Sequence, residues 1–278
     1  MAAWLLCAGV VAAQGRLRVC VLDFGAERAG PEAAATLAQA LATEGVTVND
    51  RDESRAAARG AGYEGALNLS LDEARDLGGA LGCDFYFLGR VATQDQATLA
   101  RPVWFEAYAA LLLVNGRTGR LVRWEIVAAE AVRPEHAAAQ LPAQVAAKAK
   151  AYVAAMREAA AEDERAERAR LRTDAPRIED APDADSPGLR LPAPYRRVQP
   201  VYPEAAARVG AAGTVDVLAE LDAAGEVKSV EVVRWAGFGL DEATAETVRR
   251  MRFRPAQRDG QAVPLRVLLR YNFRPKTP

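Results

Sequence analysis

The chain has 278 residues, half of them hydrophobic, and its 36 basic residues are balanced by 37 acidic ones. At roughly 150 residues per domain, that length argues for two domains, each able to bury a core. The balanced charge excludes the basic footprint that nucleic acid or an anionic membrane surface would require.

Residues 1–13, MAAWLLCAGVVAA, are apolar and carry no charged side chain. They are too few to cross the ~30 Å hydrocarbon core as a helix, and they fit the apolar region of a secretory signal peptide instead. Val11-Ala12-Ala13 before Gln14-Gly15 supplies small residues at a cleavage point, although Arg16 and Arg18 lie on the wrong side of the stretch. Either the signal is an unusual one or translation begins further upstream; a buried N-terminal element is the alternative. Leu6 before Cys7 argues against a lipoprotein. A cleaved leader implies a periplasmic protein.

Leu17 to Phe24, LRVCVLDF, is a near-continuous apolar run and predicts a buried strand. Pro31 to Glu44 predicts a helix, with Ala34, Leu37, Ala38 and Leu41 on one stripe and Gly45 as its stop. A short strand begins at Val46. Ser70 and Glu73 form a capping-box signal for a helix ending at Leu81. Strands follow at Asp84 to Val91, Trp104 to Val114 and Leu121 to Ala129, with a hairpin turn at Asn115-Gly116. One long helix is expected from His136 to Glu164. Cys20 and Cys83 could pair in an oxidising compartment or remain two buried thiols; their apolar strand contexts favour thiols and no disulfide. Neither has the CxxC spacing of a zinc or redox site. His136 is the only histidine, which removes metal sites built on several histidines.

The resulting order is β-α-β-α-β-β-β-α. With the motifs VCVLDFG (Val19 to Gly25) and ARDLGGALGCDFYFLGRV (Ala74 to Val91), and with Thr118-Gly119 in the hairpin, residues 16–156 resemble the N-terminal α/β domain of CsgG-like and TolB-N-terminal-like envelope proteins. Residues 157–194 change character. The charged run from Glu162 to Arg170 extends the preceding helix. Asp174 to Pro194 is proline-rich and acidic and reads as a linker.

Residues 195–275 predict a second, α+β unit of order α-β-β-α-β with an antiparallel sheet. Gln199-Pro200-Val201-Tyr202-Pro203 is an extended lead-in, since its prolines forbid a helix and a central strand. A short helix covers Glu204 to Val209. In the strand Thr214 to Leu221, Val215, Val217, Ala219 and Leu221 share one face. Asp222 to Glu226 turns into Val227 to Val233, a helix covers Leu240 to Met251, and after Asp259-Gly260 a final strand covers Val263 to Phe273.

Tyr202-Pro203, Gly213-Thr214-Val215, Asp222 with Gly225, Leu240-Asp241, Phe253-Arg254-Pro255-Ala256 and Gly260 occur in the order and spacing of the TonB family's C-terminal domain, which this segment resembles. The resemblance implies an envelope partner, a segment of an outer-membrane receptor, that adds as a β-strand to the closing strand. It implies contact residues Gln199, Pro200, Tyr202 and Pro203 in the lead-in and Arg266, Leu268, Arg270, Tyr271 and Phe273 in the closing strand. Leu268 and Arg270 are assigned to opposite faces. Plain packing beneath the lead-in is the competing role for Tyr202. Self-association through the same module is a further expectation, and energy-dependent transport is what the family would add. The fit to a full transducer is poorer: Asp174 to Pro194 spans at most ~65 Å even as polyproline II. A scaffold or assembly factor that works through its N-terminal domain is the alternative. Asp23, Asp84 and Glu106 stand as carboxylates at strand ends without a partner base, and GRTGR lacks the Lys-Ser/Thr of a phosphate loop. No catalytic residue, cofactor, metal site or nucleic-acid partner is therefore expected.

Overall fold

A computed structural model describes residues 16–98, 101–172, 178–181 and 188–275. The leader, with Cys7, lies outside the described residues. In chain order the first part comprises β1 (Arg18–Val21), α1 (Ala29–Thr43), β2 (Thr47–Val48), α2 (Arg51–Gly60), β3 (Leu69–Ser70), α3 (Leu71–Leu81), β4 (Phe85–Thr98), β5 (Arg101–Asn115), β6 (Leu121–Ala131), α4 (Pro134–Ala146) and α5 (Ala149–Arg170). The second part comprises β7 (Leu189–Arg190), β8 (Ala193–Pro194), α6 (Glu204–Arg208), β9 (Gly213–Leu221), β10 (Val227–Trp235), α7 (Leu240–Arg249), β11 (Phe253–Arg254), β12 (Ala256–Arg258), β13 (Gln261–Val263) and β14 (Leu265–Phe273). The chain is α+β.

Five strands form the first sheet in the order β2-β1-β4-β5-β6. Its short strands pair parallel and its long ones antiparallel. Leu37 and Leu41 of α1, Leu141 of α4, and Tyr152 and Met156 of α5 cover one face, against Val19, Phe87 and Leu111. The expected capping box at α3 is present: Glu73 N donates to Ser70 Oγ at 3.2 Å, and Ser70 N donates to Glu73 Oε2 at 2.7 Å. Cys20 and Cys83 are free, buried thiols. Cys20 donates to the Leu81 carbonyl and accepts from the Ser54 hydroxyl.

The helices of the first part differ from the sequence expectation in two respects. Helix α2 was not anticipated, because RDESRAAARG is mostly polar and only Ser54 and Ala58 are buried. Its start is set by Asp50, whose carboxylate accepts from the N–H groups of Asp52 and Glu53. The expected long helix is two helices, α4 and α5. Between them Lys148 N bonds back to Val145 O, a tighter i to i−3 turn that redirects the chain.

The opposite face of the first sheet carries the second part of the chain. Tyr86, Leu88 and Leu112 share one core with Leu77 of α3 and with Trp235, Phe238 and Leu240. The second sheet has the order β14-β9-β10-β3, so its fourth strand is Leu69–Ser70, borrowed from the N-terminal part. Asn68 locks this junction. Its side chain donates to the carbonyls of Thr214 and Trp235 and accepts from Thr214 N. The indole of Trp235 donates to Gly119 O at 2.9 Å, and that of Trp124 donates to Glu242 at 3.1 Å. Glu106, nearly buried, is paired with Arg208 of α6 and accepts from Gln94. It is an interface carboxylate.

The turn between β10 and α7 is shaped for this contact. Phe238 sits at φ 54°, an unusual conformation for a non-glycine residue, held by burial and by its ring contact with Trp124 at 5.7 Å. At the neighbouring Gly237 a Cβ would meet Leu112 at 2.8 Å. Asp241 clamps the same turn, accepting from Ala236 N at 2.8 Å and Gly237 N at 2.9 Å. Desolvation raises its carboxyl pKa from 3.8 to about 6 despite those two donors. Between those pH values the folded state keeps a proton that the unfolded state has released. This group's contribution therefore declines as pH rises across that window and is level above it. Glu73 and Asp222, whose pKa values are lowered by hydrogen bonds, act in the opposite sense. The direct measurement is a carboxyl-carbon NMR titration of Asp241, expected to give a midpoint near 6. A midpoint at the ordinary aspartate value would show that the turn is open to water.

The free edge of the closing strand

Strand β14 runs antiparallel to β9 without a register break, from Leu265 opposite Leu221 to Phe273 opposite Gly213. Because Val215, Val217, Ala219 and Leu221 face the core, their partners Leu265, Val267, Leu269 and Tyr271 face it too. Arg266, Leu268, Arg270 and Asn272 lie on the other face. Leu268 and Arg270 are two residues apart and therefore share a face; the expectation that they lie on opposite faces is corrected by the strand's period of two.

The direction of the backbone groups follows from one pair of bonds. Arg266 N donates to Glu179 O at 2.9 Å, and Arg266 O accepts from Ala181 N at 2.7 Å. Both groups of Arg266 thus point away from β9. In an antiparallel pair this alternates by residue, so the N–H and C=O of Leu268, Arg270 and Asn272 also point outward. Among the described residues no strand pairs with this edge beyond Arg266. The segment read as linker accordingly does more than connect. Residues 179–181 touch β14, β7 pairs with β12, and β8 pairs with β11. The main chain supplies these contacts, so proline and acidic content did not prevent them.

The side chains expected to touch a partner divide into two groups. Tyr202 donates to Ala211 O at 2.6 Å, and its ring lies 6.3 Å from that of Phe273. Phe273 is buried, and the Tyr271 hydroxyl donates to Met251 Sδ at 3.4 Å. Desolvation raises the pKa of both tyrosines, so they present neutral hydroxyls. Pro203 starts α6 and packs on Gly239. These four are framework. Arg270 is committed as well: its guanidinium makes a two-pronged contact with Asp216 at 2.8 and 2.9 Å, which neutralises a carboxylate only 5% exposed. Arg266 is held by Asp180 at 3.1 Å. Available to a newcomer are Gln199, Leu268 and half-buried Pro200, together with the outward main chain. Val201, 79% exposed between Pro200 and Tyr202, joins them.

The profile of the family described as Gram-negative bacterial TonB protein C-terminal matches residues 198–275. Residues 198–275 form a TonB C-terminal domain. The closing strand of that domain is the edge described above, and its presence marks the chain as a TonB-domain protein of the Gram-negative envelope, with partner interaction as its coarse role. Among solved structures, the TonB C-terminal domain of Pseudomonas aeruginosa is 22% identical, with 34% of this chain and 93% of that one covered at a TM-score of 0.28. A hypothetical protein of Chlamydia trachomatis is 12% identical, covering 50% of this chain and 98% of that one at a TM-score of 0.36. A lipoprotein of Neisseria meningitidis is 14% identical, covering 41% and 83% at a TM-score of 0.31. No curated protein matches the chain significantly. No helix among the described residues is long and apolar enough to cross a membrane. Among the same residues no group of three or more His, Cys, Asp or Glu side chains is placed to hold a metal.

Proposed function

We propose that this chain is a non-catalytic periplasmic protein that captures an extended segment of an outer-membrane protein on the outer edge of β14. The observation that carries this reading is the row of outward N–H and C=O groups at Leu268, Arg270 and Asn272, with no strand against them among the described residues. Unpaired groups on a strand edge are a template for strand addition: main-chain bonds supply affinity, and flanking side chains supply selectivity. Leu268 on β14 and Gln199 and Val201 in the lead-in are exposed, and we assign the selective side-chain contacts to them.

A second reading is favoured by the junction itself. The domain is seated on the N-terminal sheet through Asn68, Trp235 and Glu106. That arrangement suits a scaffold that presents one docked edge better than a transducer that must reach across the periplasm. Both readings use the same edge and differ in what the N-terminal part does after capture.

A photo-crosslinking residue at Leu268 in the intact chain, expressed in its own envelope, is expected to trap an outer-membrane protein. The same residue at exposed Lys228 on β10 is the control. Adducts that form equally from both positions, or a Leu268 adduct containing only a second copy of this chain, would exclude receptor capture at this edge.

A further inference from the structure

The edge of β14 is open from Leu268 onward but closed at Arg266, and what closes it is part of the same chain. Residues 179–181 pair with Arg266 in the parallel sense, one main-chain bond on each side. Two ion pairs fix the side chains. Glu179 accepts from the guanidinium of Arg258 at 2.8 Å, and Asp180 lies 3.1 Å from Arg266 Nε. The second contact is one of charge, since Arg266 Nε makes no directional hydrogen bond. Arg266 is only 15% exposed, so its charge is partly desolvated and favours an acidic neighbour. Beyond this point the edge presents main chain and the apolar Leu268 side chain but no uncommitted charge, because the Arg270 guanidinium is paired with Asp216.

We propose that Arg266 at the start of β14, with Arg258 at the end of β12, selects an acidic extended segment entering parallel to β14, and that Glu179–Ala181 occupies this position until a segment of the same chemistry displaces it. The inference rests on the edge-pairing reading above and adds to it the partner's charge, its direction and a resident competitor. The competitor is tethered close by: residue 188 is already fixed, its carbonyl accepting from Asp259 N at 2.8 Å. Such a short connection gives an effective concentration on the order of millimolar. A free segment must therefore outcompete it, and weakening the resident segment should expose the edge.

The test uses the intact chain and a fluorescein-labelled dodecapeptide with Ile-Glu-Asp-Ala centred in a Gly-Ser context. Wild type is compared with an Asp180→Asn/Ala181→Pro double variant, which removes one ion pair and one main-chain donor from the resident segment. The double variant is expected to bind the peptide at least about 5-fold more tightly, with faster amide exchange at Arg266. A neutral peptide with Ile-Gln-Asn-Ala is expected to bind at least about 5-fold more weakly than the acidic one, and added salt should shrink that difference. Equal affinity of wild type and double variant, equal affinity for the two peptides, or no binding by the double variant at millimolar peptide would each overturn the proposal. Adding Leu268→Pro to the double variant separates this inference from the reading beneath it. If that change abolishes binding of both peptides while they bind equally without it, edge pairing stands and acid selection falls. If it leaves acidic-peptide binding intact, edge pairing itself falls.

Discussion

Replacing Trp235 with alanine is expected to destabilise the chain by about 3–5 kcal/mol, the range for removing a fully buried large aromatic side chain. Trp235 is 2% exposed, ends β10 opposite Leu69, and donates its indole N–H to Gly119 O. Truncation would open a cavity between the two parts of the chain and leave the Gly119 carbonyl without its donor, adding the cost of an unsatisfied buried acceptor. Because this side chain belongs to the core that joins the N-terminal sheet to the TonB domain, the loss should appear in the unfolding of both parts. Urea denaturation followed by tryptophan fluorescence and by far-ultraviolet circular dichroism reads this directly. A loss below about 1 kcal/mol, within the range of an ordinary surface substitution, would mean that the docked arrangement does not persist in solution.

A pair of proline substitutions one residue apart is expected to separate binding from folding. Leu268→Pro removes an outward N–H and places a ring where a partner strand would approach, so it should keep the fold and lose partner binding. The expected loss is roughly 1–3 kcal/mol for the deleted main-chain bond, with a steric cost added. Leu269→Pro removes an N–H that points toward β9 opposite Val217, inside the ladder that holds the sheet together. It should lower stability by about 3 kcal/mol or more. The readouts are the melting temperature of each variant and its co-purification with the partner that crosslinking at position 268 of the otherwise wild-type chain identifies. If both variants fold and bind as wild type, a partner does not use this edge. If Leu268→Pro unfolds while Leu269→Pro does not, the register of β14 is shifted by one residue.

Much of the TonB domain was legible in the sequence because its signals are local. The alternation of Val215, Val217, Ala219 and Leu221 predicts β9, and the lead-in prolines predict an extended approach. Gly225, at φ 79°, needs a residue without a Cβ, since a Cβ there would meet the Phe253 carbonyl at 2.0 Å. The side-chain roles were less legible. Tyr271 and Phe273 sit in the strand expected to bind, and only the register with β9 turns them inward. Arg270 reads as an exposed cation until Asp216 is found opposite it.

What the sequence determined by itself is therefore the identity of most of the longer elements and the α+β domain they build, through periodicity, caps and turn residues that act within a few positions. Tertiary structure decided everything that joins distant positions. Two-residue strands such as Leu69–Ser70 carry no periodicity, so nothing in their own residues announces that β3 will complete the sheet of a domain about 150 residues away. The same holds for Glu179–Ala181 on Arg266: main-chain pairing is nearly indifferent to side-chain type, so a proline-rich acidic stretch can serve it as well as an apolar one. Whether the closing edge stands open or occupied is thus settled by where the chain returns in space.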